Sequence, residues 1–180
     1  VWITNSLCAK ITFFKYLLLI LSSLKKIKHF NMKSRHFLLV FLLQVVAISV
    51  QAARVDTVFV KSPSMNKDIK VVYILPDKTM AEHPQACPVI YLLHGYSGNA
   101  RSWIGLKPEL PQIADEKGII FVCPDGKNSW YWDSPKNPAY RYETFISSEL
   151  VNYTDTHYAT IPEKRARAIS GLSMGGHGAL

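Results

Sequence analysis

The sequence predicts an α/β domain built on a largely parallel sheet, and three observations predict it. Short β-rich apolar runs alternate with stretches of helical spacing from Val55 onward. Two of those runs, residues 88–93 and 119–123, are apolar on both faces, the pattern of central strands covered by helices on each side. Each of these two then breaks into a turn, His94-Gly95-Tyr96 and Pro124-Asp125-Gly126, with the polar and apolar residues changing over abruptly.

Taken in order, residues 55–60 and 69–75 are β-rich and flank the turn-forming Ser62-Pro63-Ser64-Met65-Asn66-Lys67-Asp68, so they form an antiparallel hairpin. A polar linker, 76–85, leads to the first buried strand at 88–93. Residues 108–117 carry a short helix that Gly118 stops. The second buried strand, 119–123, gives way to a polar and aromatic loop at 127–138, whose prolines and asparagines argue against a helix. Between 140 and 158 the spacing is helical, with Tyr142, Ile146, Leu150 and Tyr153 on one face. Arg167-Ala168-Ile169-Ser170 is a last short strand, followed by a turn and the start of a helix.

Composition is that of one globular domain: 180 residues, 48% apolar and 19% charged. The net charge of +8 suggests an anionic partner until it is located along the chain. Seven of the 21 Lys and Arg lie in residues 1–52, where there is no acid, leaving 14 bases against 13 acids from Ala53 onward. A near-neutral body removes the main support for nucleic acid as a partner.

That basic stretch has its own meaning. Met32-Lys33-Ser34-Arg35-His36 is a basic start, residues 37–50 are an apolar core broken only by Gln44 and Ser49, and Val50-Gln51-Ala52 precede a cut ahead of Ala53. Residues 32–52 therefore read as a signal peptide, with about 14 core residues against the ~20 that a membrane span requires. Residues 1–31 precede this methionine and are expected to be upstream sequence translated in frame. Secretion or transfer to a periplasm follows, with no stable membrane anchor after cleavage.

Export bears on the cysteines. Cys87 and Cys123 sit at opposite ends of two strands expected to be parallel neighbours, about 15 to 20 Å apart at ~3.3 Å per residue. A disulfide requires Cα atoms within roughly 7 Å. Both are expected to be free and buried, and no Cys or His spacing resembles a metal site. No cofactor is expected.

The residues that could carry chemistry begin with Gly171-Leu172-Ser173-Met174-Gly175. This G-x-S-x-G pattern puts a serine on a sharp strand-to-helix turn and leaves its hydroxyl exposed above the sheet. A serine hydroxyl is a weak nucleophile without a base and a place to hold the oxyanion. His94-Gly95-Tyr96 closes a strand that ends on the same sheet edge, where ligands bind in folds of this kind. The backbone N–H groups of Tyr96 and Met174 are expected to hold the oxyanion. The alternative for His94-Gly95 is a plain strand-ending turn. Trp130, Trp132 and Asp133 form either a substrate rim that stacks on a sugar or aromatic group, or a loop whose aromatics pack back on the domain.

Leu92-Leu93-His94-Gly95-Tyr96-Ser97-Gly98-Asn99 with Trp103, Pro124-Asp125-Gly126 with Ser129-Trp130-Tyr131, the helix opened by Tyr142-Glu143-Thr144-Phe145, and Ile169-Ser170-Gly171-Leu172-Ser173-Met174-Gly175-Gly176 together resemble the esterase family of α/β-hydrolases. That family includes S-formylglutathione hydrolases, feruloyl and acetyl esterases, tributyrin esterases and mycolyltransferases. The resemblance covers nearly all of residues 53–180, read here as a partial α/β-hydrolase domain. It implies Ser173 as the nucleophile of an acyl-enzyme mechanism, with the triad Asp and His beyond Leu180 in an amino-terminal fragment of a longer enzyme. His94 is expected to orient the loop beneath the oxyanion hole, and His83, His157 and His177 are not expected to serve as base. The expected substrate is a small-molecule or polysaccharide ester. The alternatives are an acyltransferase of the same fold, or a non-catalytic carbohydrate-binding protein on an esterase scaffold.

Overall fold

In the computed structural model, which describes residues 53–180, the chain opens as the expected hairpin. Strand β1, Arg54–Ser62, pairs antiparallel with β2, Lys67–Leu75, through a turn at whose corner Asn66 takes φ 49°. The stretches assigned to upstream sequence and signal peptide lie outside the described residues.

The rest of the sheet follows from the two doubly apolar runs. β3, Val89–Leu93, and β4, Ile120–Pro124, are parallel neighbours, and β5, Arg167–Gly171, lies parallel on the other side of β3. β2 joins antiparallel to β4, so the sheet order is β1-β2-β4-β3-β5. Alternate residues of the central strands enter two different core layers. Val89, Tyr91 and Leu93 of β3 and Ile120 and Val122 of β4 face one side, with Leu92, Phe121 and Cys123 on the other. Burying a Leu93 or an Ile120 completely contributes about 1.5–3 kcal/mol each. Only a sheet covered on both faces accommodates this composition.

One cover consists of α1, Ser102–Leu106, and α2, Leu110–Lys117, which place Trp103, Leu110, Ile113 and Ala114 over Val72, Leu92 and Phe121. Gly118 ends α2 in the left-handed region, as its position predicts. The short helix α1 was not expected, since its five residues give too little periodicity to read.

The other cover runs from α3, Tyr142–Thr144, through a single π turn, Phe145–Glu149, into α4, Leu150–His157. Tyr142, Ile146 and Leu150 are buried as their spacing predicts, and Phe145 is buried beside them. Tyr73 of β2 is tied to this layer by a 2.9 Å hydrogen bond between its hydroxyl and Thr154 Oγ1, and it stacks on Tyr158 with centroids 4.3 Å apart. Thr154 Oγ1 donates to Leu150 O at 2.7 Å, so it accepts from Tyr73. Thr154 is fully buried.

Cys87 and Cys123 are free and buried, and they fall in different core layers, so the sheet itself separates them. Among the described residues no helix is long and apolar enough to cross a membrane.

Candidate active site

Register brings the two predicted motifs together. Leu92 of β3 lies opposite Ser170 of β5 and Leu93 opposite Gly171, so the strands end side by side and His94-Gly95 emerges next to Leu172-Ser173. The turn is then fixed by backbone bonds. Leu172 N–H donates to Leu93 O at 3.1 Å, and Gly175 N–H donates to Leu172 O at 2.8 Å as the chain enters helix α5, Met174–Gly178. Trp103, from α1, donates its indole N–H to the same Leu93 carbonyl at 3.0 Å.

Ser173 takes φ 51° and ψ −112°, a conformation that costs a non-glycine residue about 1–3 kcal/mol. The glycines around it do not share that strain, because none of them adopts a positive φ. Their role is close packing. A Cβ on Gly171 would lie 2.1 Å from the carbonyl carbon of Gly175, and one on Gly175 would lie 2.3 Å from Leu93 O. The result is an exposed Ser173 followed by a fully buried Met174. As the first residue of α5, Met174 has an amide N–H without an intrahelical acceptor. Among the described residues no side chain hydrogen-bonds to Ser173 Oγ.

The loop after β3 is held from beneath by the loop after β4. His94, 1% exposed, donates from Nδ1 to Gly95 O at 2.7 Å and accepts Gly126 N–H at Nε2 at 3.0 Å. One nitrogen donating and the other accepting defines the neutral Nδ1–H tautomer. The Asp125 carboxylate, 3.6 Å from Nε2, is thus a neighbour and not an ion-pair partner. Burial acts to raise the Asp125 carboxyl, but hydrogen bonds from the Lys127 amide and ammonium outweigh it and hold it well below the usual carboxylate range. Ser97 N–H adds a bond to Asn128 Oδ1 at 2.8 Å.

Tyr131 is the residue that sequence reasoning missed. Its motif neighbours Trp130 and Trp132 are about half exposed, whereas Tyr131 is 3% exposed. Trp130 and Tyr131 have φ of 59° and 57°, and these two consecutive left-handed residues turn the chain so that the tyrosine points inward. There its hydroxyl accepts His94 N–H at 3.0 Å and donates to His94 O at 3.3 Å. Its side chain lies against Gly126 and Gly178: a Cβ on Gly126 would come within 2.2 Å of the ring, and one on Gly178 within 2.8 Å of it and 2.4 Å of Tyr131 Cβ. Burial pushes its phenol upward, so it stays protonated and able to donate. Only the aromatic run Trp130-Tyr131-Trp132 hinted at this, and an apolar ring flanked by two exposed ones is not visible without the backbone angles.

Trp130 meets His177 edge-on at 5.6 Å between centroids, so His177 faces this loop from α5. Asp133 is turned toward the fold. Its carboxylate accepts Thr144 N–H at 3.1 Å and Thr144 Oγ1–H at 2.5 Å, with Arg141 3.7 Å away. His157 is bonded to Tyr153 O within its own helix, and His83 is exposed. Beside Ser173, an open concavity of about 410 Å³ is lined by Gly95, Tyr96, Gly98, Gly105, Leu106 and Leu172.

A serine on a strained turn between a parallel strand and a helix, beside the strand-ending loop of its neighbour, is the arrangement of an α/β-hydrolase, and the fold is of that class. The chain belongs to the esterase family, since the profile described as "Putative esterase" matches residues 62–180. It is 32% identical over 126 residues to an acetyl esterase of Caldicellulosiruptor saccharolyticus, covering 66% of this chain and 46% of that protein. It is 27% identical over 130 residues to the S-formylglutathione hydrolase of Rattus norvegicus, covering 61% and 44%. Among solved structures, a ferulic acid esterase superposes with a TM-score of 0.61 at 30% identity, covering 71% of this chain and 51% of the other. The chain therefore spans about half the length of these relatives.

Proposed function

We propose that the full protein is an exported serine carboxylesterase that works through an acyl-enzyme on Ser173. The observation that carries this reading is the geometry of Ser173: exposed, held at positive φ, and set between β5 and α5 against the His94-Gly95 loop. In this reading Ser173 Oγ attacks an ester carbonyl while a histidine from the sequence following Leu180, oriented by an aspartate, takes the proton. The amides of Tyr96 and Met174 stabilise the tetrahedral oxyanion, and losing one such donor costs about 10²–10³-fold in kcat. The intermediate collapses with the histidine's proton passing to the departing alcohol. Water then attacks the acyl-serine, the same histidine removes its proton, and the free acid leaves as Ser173 is regenerated.

The similarity to an acetyl esterase and a ferulic acid esterase supports acetyl or feruloyl groups as the acyl class, and the alcohol in this reading is a small molecule or a polysaccharide. Exposed Trp130 and Trp132 supply a rim on which a sugar or an aromatic acyl group stacks. The loop that bears them is anchored by Asp133, whose carboxylate accepts from Thr144 N–H and Oγ1–H. A fluorophosphonate probe on the full-length protein is expected to label Ser173, with labelling and ester turnover both lost in Ser173→Ala. Turnover that persists in Ser173→Ala refutes the assignment.

A further inference from the structure

We propose that the exported chain is cut between Ala52 and Ala53 and that the Asp115 carboxylate of α2 captures the new amino terminus as an ion pair. This rests on the export reading above. Ala53 precedes β1, is 7% exposed and belongs to the core layer that contains Val72, Leu110, Ala114 and Phe121. Its N–H donates to Asp115 Oδ2 at 2.5 Å, while Asp115 Oδ1 accepts Asp77 N–H at 2.8 Å. A single partly buried carboxylate thus clamps two segments far apart in sequence, the entry to β1 and the turn after β2.

Hydrolysis changes what that clamp holds. Water adds across the Ala52–Ala53 peptide bond: its oxygen goes to the Ala52 carbonyl carbon, which leaves as a carboxylate, and the Ala53 nitrogen becomes an amine. The amine has an ordinary pKa of about 7.7–8 and binds a proton at neutral pH. The amide already donates to an ionised carboxylate, and on becoming an ammonium it adds a full positive charge to that bond, turning a hydrogen bond into an ion pair. The corner has a use for that cation. Asp77 stands next to Asp115, and burial together with the Asp115 charge raises the Asp77 carboxyl above its usual range.

The same geometry is compatible with a cut at that position. Val50 and Ala52 satisfy the small-residue pattern for cleavage ahead of Ala53. A cut one residue later would remove a buried side chain and the donor to Asp115 Oδ2. The cut ahead of Ala53 keeps both.

Intact mass and amino-terminal sequencing of the full-length protein, recovered from an exporting host, are expected to give a chain beginning at Ala53. Thermal denaturation of that protein is then compared with the same protein acetylated at Ala53, each with Asp115 and with Asp115→Asn. Acetylation is expected to lower Tm by about 3 °C with Asp115 and by less than about 1 °C with Asp115→Asn. An uncut chain overturns both this proposal and the export reading, and a different first residue overturns the proposal alone. A chain that starts at Ala53 but loses equal Tm in both backgrounds overturns the capture and leaves export standing. Should Asp115→Asn fail to fold, an unchanged Tm on acetylating the Asp115 protein refutes the capture by itself.

Discussion

Tyr131→Phe removes one oxygen and should change both the stability of the full-length protein and its chemistry. The ring remains to fill the space between Gly126 and Gly178, so packing is preserved. What goes are the two bonds between the hydroxyl and His94, at 3.0 Å to its N–H and 3.3 Å to its carbonyl. Leaving a buried amide donor unpaired costs about 1–3 kcal/mol, and a central value of ~2 corresponds to a Tm lower by roughly 4–8 °C in a protein of 150–250 residues. The effect on catalysis travels through His94 to Gly95 and Tyr96. Displacements of the order of 1 Å at a reacting centre cost up to about 10²-fold, so kcat should fall about 10- to 100-fold. The proposed rim of Trp130 and Trp132 is left in place, so KM should move less than about twofold. Turnover of a p-nitrophenyl ester at 25 °C, well below either Tm, separates the two effects. A variant that loses stability but keeps kcat would show that Tyr131 supports the fold alone, and the positioning argument would be wrong.

Two further outcomes follow from the packing. Gly175→Ala should abolish soluble expression or labelling of Ser173, because its Cβ would sit 2.3 Å from Leu93 O, a backbone atom that cannot yield without parting β3 from the turn; soluble, labelled protein would contradict this. Burial pushes the Cys123 thiol up to about 12 and raises the Cys87 thiol as well, and both side chains are shielded from solvent. A thiol reagent should leave both unmodified in the native protein and react with both after unfolding in denaturant, as mass spectrometry would show; fast native labelling of either would refute their burial.

The parts of this fold that were legible in the sequence are those set by strong local patterns. Doubly apolar runs marked β3 and β4, the Ser62 to Asp68 cluster marked the hairpin turn, and G-x-S-x-G marked the turn that strains Ser173. Those signals work because hydrophobic periodicity and turn chemistry act over a few residues. What stayed hidden depends on distance along the chain. Asp133 binds Thr144 eleven residues on, and Tyr131 reaches His94 thirty-seven residues back. No local propensity encodes such pairings, and the inward turn of Tyr131 rests on two unfavourable φ angles that tertiary contacts must support. The roles of the glycines were half visible. Their number around Ser173 was plain, but a need for close backbone approach and a need for positive φ look alike in sequence.

The π turn at Phe145–Glu149 brings Tyr142 and Leu150, eight residues apart on the same buried face, closer to one line than an unbroken α-helix would. In an unbroken α-helix, at 3.6 residues per turn, eight residues overshoot two turns by about 80°. The wider turn absorbs that excess, so the helix behaves as a regular one carrying a single inserted residue. Removing an exposed residue there, Ser147 or Ser148, should convert the segment to plain α-helix while both ends keep their faces to the sheet. The chain is tuned by length here rather than by residue identity, and a relative one residue shorter at this point would fit the same core.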